Sequence, residues 1–142
     1  MALERISIDR KDIPWFAKLK DKGRLNLQPN YQREAVWTDD KKFALIDSIF
    51  EQFPIGLIIL NVSKVLDADG HSIDHYDTVD GQQRLTTILE YFKGEAKWAS
   101  TLRKDIGFTP FNQLTEARQE HFESAQLPIA CLYEFTEEET SE

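Results

Sequence analysis

Leu57-Ile58-Ile59-Leu60 is an unbroken apolar run, set off by Pro54 and Gly56 on one side and Asn61 on the other. A short continuous run with turn signals around it suits a strand buried on both faces, which must lie inside a layered fold. The segments around it carry helical patterns. Thr38 can cap a helix whose first turn holds Asp39 and Asp40, where carboxylates meet the positive end of the helix dipole. Phe43, Ile46, Ile49, Phe50 and Phe53 then recur at spacings of three and four, and Pro54 forbids continuation. A second amphipathic segment, with Leu85, Ile88, Leu89 and Phe92, ends near Lys93-Gly94.

The remaining elements are shorter. Arg5–Ile8 reads as a strand, and Asp9 can cap a helix running from Arg10 toward Lys20, ended by Lys22-Gly23. Leu25–Leu27 reads as a short strand and Pro29-Asn30 as a turn. Asp67-Ala68-Asp69-Gly70 joins the apolar run to a second strand at Ile73–Val79, as a hairpin. Residues 98–112 are weakly patterned, Leu114–Ala125 reads as a helix, and Leu127–Tyr133 reads as a third central strand. The expectation is an α/β (α+β) fold, a small mixed sheet flanked by helices. A chain of 142 residues is enough for one domain, placed at 1–136, with 137–142 as an acidic, frayed tail.

Charge narrows the function classes. The net charge is −8, whereas domains that grip DNA by general surface charge are basic. The local basic stretch Lys18, Lys20, Lys22 and Arg24 reads as a solvated helix end. Cys131, the single cysteine, lies among apolar neighbours and reads as an inert core thiol. Early charges and the lack of an apolar run near the ~20 residues of a membrane span point to a cytoplasmic protein with no membrane partner. Walker, dinucleotide-binding and zinc-protease motifs do not occur. His71 and His75 flank a turn and a strand rather than one helix face, and His121 reads as a partly buried structural histidine.

The segment Asp80-Gly81-Gln82-Gln83-Arg84 carries more chemistry. It follows a strand and opens a helix. Glycine allows a sharp turn and close approach of a ligand to the main chain. The first N–H groups of the helix have no internal partner and form an anion site with the dipole. Gln82 and Gln83 can donate to phosphate or ribose oxygens, Arg84 can hold a phosphate bidentately, and Thr86 and Thr87 add hydroxyls. Asp80 could cap the helix or, with Asp77, coordinate a Mg2+ that bridges to phosphate oxygens. The same residues also fit an ordinary helix start, with Asp80 as cap and solvated glutamines. A second cluster, Tyr31-Gln32-Arg33 with Trp37, offers a planar cation and flat faces for stacking on a base, or a structural arginine pinning a loop.

Asn30-Tyr31-Gln32-Arg33 with Trp37, then Leu45–Ile49, Pro54-Ile55 and Asp80–Thr87, run in an order that resembles the N-terminal domain of GmrSD-type restriction endonucleases. That resemblance implies a ParB/sulfiredoxin-like fold and a nucleotide-hydrolysing domain in bacterial systems that restrict modified foreign DNA, a form of phage defence. It implies that Gly81, Gln82, Gln83 and Arg84 hold a nucleoside triphosphate with Mg2+. Asp80 would assist the metal or the attacking water, and Tyr31, Gln32 and Arg33 would line the opposite wall. DNA cleavage would fall to a separate nuclease domain. Family members continue into a further helix with a Phe…Asn motif, so the chain reads as a trimmed domain or a short stand-alone member. Sulfiredoxin chemistry is excluded, because the turn holds glutamines where that reaction needs a cysteine. A non-enzymatic module binding DNA or a partner at the same anion site is the alternative. Oligomerisation stays open.

Overall fold

The structure is a computed structural model, and it describes residues 5–27 and 36–133. Tyr31, Gln32 and Arg33, the Pro29-Asn30 turn and the acidic tail lie outside the described residues.

Five strands form one mixed sheet in the order β1-β5-β3-β4-β2: β1 Arg5–Asp12, β2 Leu25–Asn26, β3 Ile58–Leu66, β4 Ser72–Asp80 and β5 Gln126–Tyr133. The β3–β4 hairpin is antiparallel, as is β1–β5, while β3–β5 and β2–β4 are parallel. The helices are α1 Ile13–Asp21, α2 Asp39–Phe50, α3 Gln82–Lys93, α4 Lys97–Ser100 and α5 Glu116–Glu123. Helix α1 packs on α3 and α5, and α2 packs on the same pair, which makes one helical layer. The α/β class and the sheet flanked by helices agree with the sequence reading.

That single layer corrects one expectation. Ile58 and Leu60 are fully buried, but Ile59 is only partly so and Leu57 is 39% exposed, so β3 is buried on one face. Alternate residues of a strand point to opposite faces, and the helices cover the face of Ile58, Leu60, Val62, Thr78 and Ile129. Burial of each large side chain there contributes roughly 1.5–3 kcal/mol. Cys131 is buried with them, and burial raises its pKa.

Local signals placed most helix ends. Thr38 accepts from the Lys41 N–H, and Gly94, in the left-handed region, closes α3 by donating to the Glu90 carbonyl. Two ends moved. The cap of α1 is Asp12, which accepts from the Trp15 N–H at 3.0 Å, not Asp9. Residues through Asp12 are held extended by the ladder with β5, so Asp9 instead accepts from the neighbouring Arg10 N–H. Helix α2 stops at Phe50. Gln52 turns left-handed at φ 62°, the Phe53 N–H returns to the Ser48 carbonyl, and Phe53 is left 62% exposed, outside the apolar stripe.

His121 has the structural role read from the sequence: its Nε2 lies 3.0 Å from the Phe50 carbonyl oxygen and its ring stacks on Phe50. The Lys18–Arg24 stretch is the exposed end of α1 and its turn, except that Arg24 Nε donates to the Asp74 carbonyl.

Candidate functional site at the β4–α3 turn

β4 enters the turn through a bulge. Leu60 pairs with Thr78 and Ile59 with Asp80, so Val79 is an extra residue. The insertion shifts the alternation by one. Asp80 comes to lie opposite Ile59 and Asp77 opposite Asn61, which places both carboxylates on the sheet face away from the helices. Asp77 is half-buried, with His75 Nε2 3.4 Å from its Oδ1; Asp80 is 56% exposed. A carboxylate supplemented by water and phosphate oxygens is the donor set that Mg2+ takes, so Asp80 fits the expected metal, with Asp77 on the same face.

Gly81, not Asp80, is the N-cap of α3. Its φ of 110° and ψ of 16° are open only to glycine at low cost, and no side chain caps the helix. The first helical bond runs from the Leu85 N–H to the Gly81 carbonyl, so the preceding N–H groups begin the helix without intrahelical partners.

Gln82 is buried rather than solvated. Its amide nitrogen donates to the carbonyls of Thr78, at 2.8 Å, and Val79, at 3.1 Å. These bonds fix the amide orientation and leave Oε1 buried with no partner. Thr78 Oγ1, fully buried on the helix-covered face of β4, has no partner either. Two orphaned oxygens at one strand–helix junction mark it as a place where structural economy is relaxed. The sequence reading missed Thr78, because a threonine in a strand carries no signal of its own.

Arg84 is held from behind the turn. Nη1 donates to the Ile55 carbonyl at 2.8 Å and Nη2 to the Leu57 carbonyl at 3.1 Å, while Asp80 Oδ2 sits 3.5 Å from Nη2. Two glycines make room for the guanidinium. A Cβ at Gly56 would come within 2.8 Å of Nη1, and one at Gly81 within 3.2 Å of Nη2. Arg84 thus ties the Ile55–Leu57 segment to the turn, with only part of its donor fork left over.

Gln83 connects the two sequence clusters. Its Oε1 accepts from the Trp37 N–H at 3.3 Å, so the residues that lead into α2 are anchored at the α3 start. Lys41, which sequence reasoning also missed, places its ammonium 5.3 Å from the Trp37 ring centre. Thr86 borders a cleft of about 510 Å3 with Asn26, Leu27 and Lys20. Thr87, one position on and turned about 100° round the helix, is 1% exposed inside the helical layer.

Away from the turn, Asp67, Asp69 and His71 each bring one ligand-type atom within 4.8 Å of the others at the hairpin tip. Asp67 Oδ1 already accepts from the Asp69 and His71 N–H groups there. No helix among the described residues is long and apolar enough to cross a membrane.

The fold and turn define a mixed α/β domain whose sheet delivers a glycine-capped helix start, with a carboxylate in front and an arginine behind. Compared with known families, residues 15–141 match the GmrSD restriction endonuclease N-terminal domain, and the chain belongs to that family. Family membership gives it a role in a restriction system, as the sequence motifs implied. A search of curated proteins and a search of solved structures found no match.

Proposed function

We propose that this domain binds a nucleoside triphosphate at the Asp80–Arg84 turn and hydrolyses it with Mg2+, as the nucleotide-dependent part of a system that restricts modified DNA. The observation that carries the reading is the α3 N-terminus at Gly81, whose first N–H groups have neither an intrahelical partner nor a side-chain cap. Phosphoryl transfer needs mainly positioning and charge stabilisation, and a helix start, a cation and a metal meet that minimum.

In this reading the N–H groups after Gly81 take phosphate oxygens, and Asp80 would hold a Mg2+, whose chemistry would be to neutralise negative charge on the phosphates. Gln83 joins the turn to Trp37, and the family resemblance gives Tyr31, Gln32 and Arg33 a share in holding the nucleotide. Arg84 adds positive charge and sets the turn's shape. Thr86 reaches the cleft, and Thr87 serves packing. The ParB/sulfiredoxin likeness of the fold belongs to the same proposal, as do DNA contacts made with a companion nuclease domain.

The test is isothermal titration with GTP, ATP and CTP in Mg2+, followed by phosphate release, on the wild type and Arg84→Ala. The wild type should bind at least one nucleotide, and the variant should bind it about tenfold more weakly or worse. Equal binding and turnover by a folded Arg84→Ala variant would overturn the assignment. So would a wild type that takes up no nucleotide.

A further inference from the structure

The two edges of the sheet are built differently. Among the described residues, β2 at one edge has two residues, whereas β1 at the other runs for eight, Arg5 to Asp12, and pairs along its whole length with β5 alone. Ile6 and Ile8 on β1 are 60% and 66% exposed, and both lie on the sheet face away from the helices, opposite Leu132 and Ala130. Long apolar edges offer a row of unpaired backbone groups and are ordinarily shortened, bulged or covered. β1 shows no such device among the described residues except its charges and the Asp9 carboxylate on the Arg10 N–H.

Those charges are arranged for pairing rather than for repulsion. Consider a second copy of β1 added antiparallel about a two-fold axis at Ser7. Arg5 then faces Asp9 of the other copy, Asp9 faces Arg5, and Ile6 and Ile8 face each other twice on the opposite side. Shifting the axis to Ile8 sets Arg5 against Lys11 and Ile6 against Arg10; shifting it to Asp9 sets Asp9 against itself and Ile8 against Arg10. A shift by half a step would put apolar and charged side chains on the wrong faces. The Ser7-centred register therefore pairs opposite charges and apolar residues together, the combination that stabilises directly opposed cross-strand pairs. Arg5 now lies over the Tyr133 ring, 4.4 Å from its centre, and Asp9 sits 3.5 Å from Lys11. The Asp9 side chain is 57% exposed, so it can turn outward.

We infer that β1 is an isologous dimer interface, in which two copies of this chain join edge to edge into one continuous sheet centred on Ser7. The two β4–α3 turns then lie toward the far sides of a shared sheet, free of the interface. This inference does not depend on the nucleotide proposal, since the surface lies at the other side of the sheet order.

Sedimentation velocity over a wide concentration range tests it, on the wild type, Arg5→Asp, Asp9→Arg and the double charge swap. The wild type should show a reversible monomer–dimer equilibrium. Each single reversal places like charges opposite each other twice and should weaken dimerisation about tenfold or more, and the swap should restore it. Because β1 is exposed, thermal melting should remain cooperative in all four. A wild type that is monomeric throughout, single reversals without effect, or a swap that stays monomeric would each overturn the interface. That last outcome separates charge pairing from a loss of strand structure.

Discussion

The backbone N–H of Trp37 donates to Oε1 of Gln83 across 46 positions of sequence, at 3.3 Å. It fastens the segment that precedes α2 to the first turn of α3, where the proposed phosphate site lies. Gln83 is an acceptor for Trp37, and under the proposed function it is also a neutral group beside the bound anion.

Replacing Gln83 with glutamate separates these two roles. The carboxylate keeps an acceptor for Trp37, so thermal stability should change by no more than about 0.5 kcal/mol. The added negative charge should weaken nucleotide binding about tenfold. Titration and melting on one preparation would decide; a large loss of stability with intact binding would show that Gln83 matters only to the fold.

Glycine at 56 and 81 is required by φ values of 89° and 110° and by the Arg84 guanidinium between them. Alanine at either position should destabilise the domain by about 1–3 kcal/mol, read from urea unfolding. Gly94→Ala, where φ is 65° and the space is open, should cost about 1–2 kcal/mol through backbone strain alone. In an Arg84→Ala background the Gly56→Ala penalty should shrink, because the atom it strikes is gone. An unchanged penalty would contradict the steric account.

The hydroxyl of Thr78 is buried without a partner. Thr78→Val keeps the shape and removes the desolvated oxygen, so it should leave stability unchanged or raise it by about 1–2 kcal/mol. A drop in melting temperature would mean that the hydroxyl is satisfied in solution.

Alkaline pH should unfold the domain early. Burial raises the pKa of Tyr76 from 10.0 to about 12 and raises that of Cys131 above 9.0. The folded state holds these protons more tightly than the unfolded chain. Their contribution is therefore complete below the unfolded values and is lost as pH climbs toward the folded ones. The urea midpoint should fall between pH 9 and 12, and Tyr76→Phe should flatten the upper part of that decline. Equal slopes for the two proteins would remove Tyr76 from the account.

Much of the architecture was readable because its causes are local. Thr38 has the side chain a helix N-cap needs, Gly94 has the freedom its left-handed φ needs, and the DADG turn and the strands around it form a hairpin by their own chemistry. Where the reading slipped, a distant partner had intervened. Asp9 could have capped a helix, but pairing with β5 kept the chain extended to Asp12. Leu57–Leu60 looked buried on both faces, but the helices all gather on one.

The candidate site divides in the same way. Sequence alone determined that a glycine-led helix start rich in polar side chains follows a strand, because turn, cap and dipole are set within a few residues. It also carried the motifs that place the chain in its family. Only the tertiary structure decided what those side chains do. Gln82 turns inward to two carbonyls, Arg84 reaches the Ile55–Leu57 segment, and a bulge at Val79 brings Asp77 and Asp80 to one face. The physical reason is that a long polar side chain has many partners within reach, and the packing of distant segments selects among them.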